Sequence, residues 1–278
     1  MSTTLTHSWF MTMRHLRNLA RQPWWIAITL VQPVIWLLLF GAVFKATADI
    51  PGFAADSYID YLTPGIVVMT GAFAGGWAGM GVIEDLNRGV IDRFLVSPVR
   101  RPALITGRLV QLGIVSLIQS LIVIGLGLLI GARFPGGVVG LAVLVGCSAL
   151  LGGSLGALSN GMALLARKEE TVIAASNFVL LPLTFLSSAF MQRDLVPGWI
   201  QTVARYNPVE WTITAGREAL TASPDWGLVL SRLGLLVARD GRFRGRQLLP
   251  RAWVRARHGT LETVNRKWWT AFWSQSFQ

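Results

Sequence analysis

Charge is scarce in this sequence. Only 14% of its 278 residues are Asp, Glu, Lys or Arg, against about 25% in an ordinary soluble domain. A soluble fold needs that charge to cover its surface, so the shortage argues against a water-exposed globule. Cysteine is nearly absent as well. Cys147 stands alone within an apolar segment, which excludes an intrachain disulfide and leaves packing as its expected role. His7, His15 and His258 are scattered, and no cluster of ligand types gathers around any of them, so no metal site is expected. No stretch reads G-x-x-x-x-G-K-[ST], the loop whose amides and lysine cradle nucleotide phosphates. The apolar runs hold almost no ionisable residue and no Ser/His/Asp or paired-carboxylate set, which argues against proton coupling and membrane-embedded hydrolysis.

Long apolar runs are what the sequence has in abundance. It is 53% hydrophobic with a mean hydropathy of +0.52. Five runs, 24–44, 62–83, 109–130, 138–166 and 171–191, each reach the roughly 20 residues that cross a bilayer as a helix. A sixth begins at Trp226, contains Arg232, and meets Arg239 after about a dozen apolar-rich residues, too few to cross without tilt or snorkelling. The expected fold is therefore all-α, a polytopic transmembrane helix bundle with five full spans and a disrupted sixth. The first run starts at Trp24 with no A-x-A-like site after it, so it reads as a retained span in a mature chain starting at Met1. Ahead of it, Leu5, Trp9, Met13, Leu16 and Ala20 recur at helical spacing among Arg14, Arg17 and Arg21. Residues 1–23 are accordingly expected to form an amphipathic helix lying in the membrane interface.

Lysine and arginine placement sets the expected orientation. Arg14, Arg17 and Arg21, five arginines between 84 and 108, and Arg167 with Lys168 share one side, giving ten; Lys45, Arg133, Arg193, Arg205 and Arg217 share the other, giving five. The amino terminus and the 84–108 loop should be cytoplasmic, in a multi-pass protein of the plasma membrane. The charge is unevenly spread. Residues 239–278 carry nine of the 25 basic residues and two of the 14 acidic ones, so the high pI belongs mostly to the tail and is no nucleic-acid footprint of the bundle.

The stretch 83–108 (IEDLNRGVIDRFLVSPVRRPALITGR) is the most informative. Ile83, Leu86, Val90, Ile91, Phe94 and Leu95 fall on one helical face opposite a charged one. Glu84 and Asp85 sit where a helix start favours anions, and Arg100 and Arg101 follow the end before Pro102. Such a helix between two spans offers a surface for another protein to push on; resting on lipid headgroups is the equal alternative. This stretch resembles the acidic-start, Arg-Gly, "LLVSPVRR" segment of type 2 ABC transporter permeases, particularly the daunorubicin-resistance-like drug exporters. YLTPGIVVMTGAF at 61–73 and FMQRDLVPGWIQTVARYNPVEWTITAGREAL at 190–220 resemble the same family. The likeness covers most of residues 4–238 and is specific in combination.

The resemblance implies that 84–101 is the coupling helix that docks on a separate ABC ATPase subunit, which carries the ATP and Mg. Glu84, Asp85, Arg88, Gly89, Arg93, Ser97, Pro98 and Arg100 match the family pattern. It implies further that 192–220 form short external helices dipping into the outer leaflet, that the permease works as a homo- or heterodimer, and that the cargo is an amphipathic drug or lipid moved out of the cell. This chain itself is expected to be no enzyme. Pro197 and Trp199, then Tyr206, Asn207, Pro208 and Trp211, suit an interfacial helix start and a headgroup-level turn.

Within the runs, Gly71, Gly75 and Gly79 make two G-x-x-x-G steps, and Gly152, Gly156 and Asn160 repeat the spacing. Small residues so spaced let helices approach closely, within a subunit or between two. Gln32, Gln111, Gln119, Asn177, Ser187 and Ser188 are polar groups that hydrocarbon penalises, and so are candidates for a substrate path or for interhelical hydrogen bonds. Trp36, Phe40, Phe73, Trp77, Phe178 and Phe185 are candidates to line that path or to face lipid. Pro33 and Pro182 should bend their spans.

After Ala238 the chain departs from the family, alternating arginine with tryptophan where a sixth span should continue. The domains expected are the interfacial helix at 1–23, the permease at 24–238 and a basic-aromatic tail at 239–278. A reading-frame shift or a cloning-derived end explains the tail; a basic-aromatic segment that binds anionic lipid or nucleic acid is the alternative. Two other functional classes remain open. A secondary transporter or channel should show intramembrane ionisable groups or an inverted repeat, and neither is seen in the sequence. A non-transporting membrane assembly factor is the other, and a neighbouring gene for a Walker-motif ATPase would favour the exporter over both.

Overall fold

The computed structural model describes residue 13 and residues 23–50, 53, 55, 57–89 and 101–245, with side chains for all of these except 23–27, 101–109 and 237–245. Helices α1 (Pro23–Val43), α2 (Tyr58–Gly76) and α3 (Ala78–Asn87) come first. They are followed by α4 (Arg101–Ile130), α5 (Gly137–Ala166), α6 (Glu169–Phe185), α7 (Gly198–Ala204), α8 (Pro208–Ala219) and α9 (Trp226–Gly245). Short 3-10 turns occupy Lys45–Asp49 and Arg193–Leu195. Among the described residues all regular structure is helical. The expected interfacial helix, and Arg93, Ser97, Pro98 and Arg100, lie outside the described residues. The chain divides into two units, Met1–Val237 and Ala238–Gln278; the bundle belongs to the first, and the described part of the second is helical backbone to Gly245.

Helix α2 is the axis of the bundle. It packs most extensively against α5 and α4, and also against α1, α8 and α6. A helix apolar on every side is stable only when enclosed on every side, and α2 is buried along nearly its whole length. Its start is fixed by Ser57, whose side chain accepts from the Ile59 amide. Asp60 then accepts from the Arg133 amide at 2.7 Å, tying this start to the turn between α4 and α5.

The predicted glycine ladder lies at the α2/α5 contact. A Cβ on Gly75 would collide with the Gly152 carbonyl, and one on Gly152 would come within 2.6 Å of the Gly71 carbonyl. The two backbones therefore touch directly within one chain. Outside this centre, Ile28, Val31, Ile35, Leu38 and Leu39 on α1 and Leu117, Leu121 and Leu128 on α4 are exposed. Apolar faces of that extent suit hydrocarbon.

Three stretches are long and apolar enough to cross a membrane among the described residues: Tyr58–Asn87, Val110–Ile130 and Gly137–Ala166. The runs at 24–44, 109–130 and 138–166 each lie on one helix, but three expectations are corrected. The run at 62–83 breaks at Trp77, where α2 gives way to α3. The run at 171–191 stays helical only to Phe185. The amphipathic helix read onward from Ile83 is interrupted, because α3 ends at Asn87 and Gly89 takes φ +65°, and Arg101, read as following that helix, already belongs to α4, where a proline in the first turn gives up only an amide that has no helical partner.

Candidate functional site at the two ends of the bundle

At one end, α3 closes with Arg88 as its cap and Gly89 at φ +65°. That left-handed conformation is costly for any residue with a Cβ, and it explains the Arg-Gly pair noted in the sequence. Arg88 and Glu84 are ion-paired at 2.6 Å and more than half exposed. An exposed pair one turn apart contributes only about 0.3–0.5 kcal/mol, so these side chains remain available to a partner. The turn from α5 to α6 places Arg167 in the left-handed region at φ 54° and starts α6 with Glu169 and Glu170, where the helix dipole favours anions.

The middle of the bundle contains the polar candidates. At the α2/α3 break, the Gly76 carbonyl accepts from the Ser159 and Ser176 hydroxyls, and Trp77 Nε1 donates to Asn177 Oδ1 at 3.3 Å. Asn177 thus serves an interhelical hydrogen bond. Gln119 Nε2 donates to Thr29 Oγ1 at 3.0 Å, joining α4 to α1. Its Oε1, together with Ser116 Oγ and Ser120 Oγ on the same face, is buried with no hydrogen-bond partner among the described residues. By contrast, the hydroxyls of Thr63 and Thr70 turn back onto the carbonyl four residues earlier. Gln32 and Gln111 are half-buried on α1 and α4 and do not join this cluster in any described contact. Ser187 is half-buried and donates to the Thr184 carbonyl at 2.6 Å.

The aromatic candidates divide. Trp36 packs against Phe40, Phe73 and Phe185, and against Phe190, which the sequence reading did not single out. Trp77 packs on Phe73. Phe178 is 74% exposed and faces outward.

At the opposite end, α6 unwinds after Phe185, and the carbonyls so released are met by side chains from α2 and α8. Asn207 Nδ2 donates to Leu183 and Leu186 at 2.6 and 3.1 Å. Tyr61 Oη donates to Ser188 and Tyr58 Oη to Phe190, each at 2.8 Å. Arg217 reaches three acceptors: the Tyr61 carbonyl from Nε and Nη2 at 3.3 and 3.0 Å, the Ala189 carbonyl at 3.3 Å, and Ser188 Oγ at 3.1 Å. Its guanidinium carbon lies 3.6 Å from the centre of the Tyr61 ring. Glu210, 5% exposed and two turns earlier on α8, accepts from the Ser188 amide at 2.6 Å. Irregular backbone inside a membrane protein survives only where protein groups satisfy it, and this set does so.

Sequence reasoning counted Arg217 among the loop arginines and gave Glu210, Tyr58 and Tyr61 no role. The structure encloses them. The signal that could have found them is the 210, 214, 217 spacing, which stacks Glu210, Thr214 and Arg217 on one face of α8. Asn207, read as part of a turn, does lie in the turn from α7 to α8 and is also the α8 N-cap, with Oδ1 accepting from the Val209 amide at 2.9 Å.

Comparisons with known proteins agree with the helical architecture. Residues 6–221 match the family described as ABC-2 type transporter. The daunorubicin resistance ABC transporter permease protein of Streptomyces coeruleorubidus is 30% identical over 243 residues, covering 85% of this chain and 82% of the relative. A doxorubicin resistance ABC transporter permease protein of Mycobacterium tuberculosis is 24% identical, covering 83% and 81%. The inner membrane transport permease of Escherichia coli is 28% identical, covering 75% and 81%. Residues 239–278 match a different family, described as beta-galactosidase. With more than three quarters of its length matched by one family and a drug-resistance permease similar along nearly the same extent, the chain belongs to the ABC-2 type transporters and is a membrane transport permease.

Proposed function

We propose that this permease is the membrane subunit of an ATP-driven exporter whose energy comes from a separate ABC ATPase, with ATP and Mg bound there. The observation that carries the reading is the Glu84 end of α3: an exposed acidic-basic turn closed by a left-handed glycine, at the end of the central helix pair, in a chain of this family. A push on α3 passes directly to α2, and from α2 to every helix that packs on it. ATP-dependent docking would then shift the bundle between inward-open and outward-open populations. The amino terminus and the Glu84 end face the cytoplasm, the membrane is the plasma membrane, and two permease subunits pair in the complex.

The cargo in this reading is an amphipathic drug or lipid, as the names of the resistance permeases suggest. The Ser116 and Ser120 hydroxyls and Gln119 Oε1, without a hydrogen-bond partner among the described residues, offer a polar contact in the membrane interior, beside Thr29. The decisive experiment reverses Glu84 and Asp85 to lysine and measures ATPase stimulation in membranes with the cognate ATPase subunit. Loss of stimulation is expected; unchanged stimulation and transport would remove the coupling role.

The tail from 239 is proposed to be foreign to the permease. Its match to a beta-galactosidase family supports joined coding sequence over a shifted reading frame, because a frame-shifted segment has no reason to resemble any family. Sequencing the coding DNA of the source across codons 238 and 239 tests this. A permease frame that continues into a sixth apolar run is expected there; the same tail codons following without interruption in the source would overturn the idea.

A further inference from the structure

We propose that Arg217 is a positioning residue of a gate at the Tyr58 end of the bundle. It pins α8 across the unwound segment 186–190, and the path opens toward that side only when the guanidinium releases the Tyr61 and Ala189 carbonyls. The inference rests on the permease reading.

The argument begins with the backbone. Residues 186–190 follow the Pro182-bearing end of α6 and make no continuous helix, so their polar groups depend on side chains from other elements. Two of the donors come from α2, which the bundle encloses and holds. The rest come from α8, and two of its three charged groups converge on one residue: Glu210 on the Ser188 amide and Arg217 on the Ser188 hydroxyl. Because α8 carries both, a rigid movement of this twelve-residue helix breaks them together. A contact set lost all at once gives two discrete arrangements and no graded series between them.

The chemistry of the clamp fits reversible release. Arginine offers five donors in a fixed fork and keeps its charge, so one side chain bridges α2 and the unwound segment while stacking on Tyr61. Lysine has neither the fork nor the flat face. The released segment is also the one that carries Phe190, which packs on Trp36 and Phe40 of α1 with ring centroids 5.4 and 4.8 Å apart. Moving 186–190 therefore parts the aromatic cluster between α1 and α6 and opens a route among apolar rings, suited to an amphipathic cargo.

The experiment uses the full chain in sealed membranes, with Cys147→Ala and a single introduced thiol. That thiol is either Ser187→Cys, the segment reporter, or Ser223→Cys, the loop reporter on the exposed stretch after α8. Each is labelled with a membrane-impermeant maleimide. Arg217→Lys is expected to raise the labelling rate of the segment reporter about tenfold, the effect of about 1.4 kcal/mol on the gate equilibrium. The rise should occur only from the face on which the loop reporter reacts, and the loop reporter's own rate should not change. Tyr61→Phe, which removes only the bond to the Ser188 carbonyl, is expected to raise the segment rate about two- to threefold, the share of one neutral hydrogen bond. A segment rate in Arg217→Lys equal to that with Arg217 intact overturns the gate. So does a parallel rise at both reporters, which marks a general structural brace. Labelling needs neither ATPase nor cargo, so failure here leaves the exporter reading standing, and failure of ATP-driven transport leaves the clamp standing.

Discussion

Arg88 and Arg217 each have a glutamate on their own helix, Glu84 four residues before the one and Glu210 seven before the other. Around Arg88 both partners are more than half exposed, and they bond to each other. Around Arg217 the glutamate is buried, and both charges bond to the backbone or hydroxyl of a third element. The first pair is free to be read by another protein and contributes little to holding the chain together. The second holds irregular backbone in place and is not free for a partner unless the structure moves. One residue pairing is thus left exposed at one end of the bundle and tied to backbone at the other, and burial makes the difference.

The sharpest way to break this comparison is Arg217→Ala. It takes the guanidinium away from the Ala189 carbonyl and the Ser188 hydroxyl and leaves Glu210 without its neighbouring cation, and removing one member of a buried charged set costs about 3–5 kcal/mol. A fall in the unfolding temperature of the purified chain is the expected result, whereas Arg88→Ala should leave it nearly unchanged. Next in size is Gly75→Val, which forces α2 off the Gly152 carbonyl and should destabilise by about 1–3 kcal/mol; the yield of folded protein from membranes checks it. Tyr58→Phe strands the Phe190 carbonyl and should cost about 1–2 kcal/mol in the same unfolding assay. Glu84→Ala is expected to change stability by less than about 0.5 kcal/mol while lowering ATPase stimulation, so stability and coupling separate at this position.

The apolar runs and the helical class were legible in the sequence because bilayer thickness dictates run length. The Gly71, Gly75, Gly79 and Gly152 spacing was legible too, since only small residues allow backbones to touch. Which surfaces they join was not, because spacing is the same within a chain and between chains. The end of α6 was misplaced for a different reason. Hydropathy sees Leu186 to Met191 as continuous with the span, but the helix stops where Asn207, Tyr61 and Arg217 supply alternative hydrogen bonds, and those donors lie far away in sequence. Arg217 was read as a loop charge on the same ground: composition cannot show that three acceptors and an aromatic ring enclose it. The Arg88-Gly89 turn, in contrast, follows from a local signal, glycine itself, which the reading of one helix through these residues passed over.

The central claim, that this bundle has no energy source of its own and is driven through its Glu84 end, is tested most directly by transport with and without the ATPase. The purified chain is reconstituted in liposomes, alone and with its cognate ATPase subunit, and movement of a fluorescent amphipathic drug is followed on adding MgATP. The account predicts accumulation only when subunit and nucleotide are both present, and its loss with Glu84→Lys and Asp85→Lys together. Concentrative transport by the chain alone would contradict it.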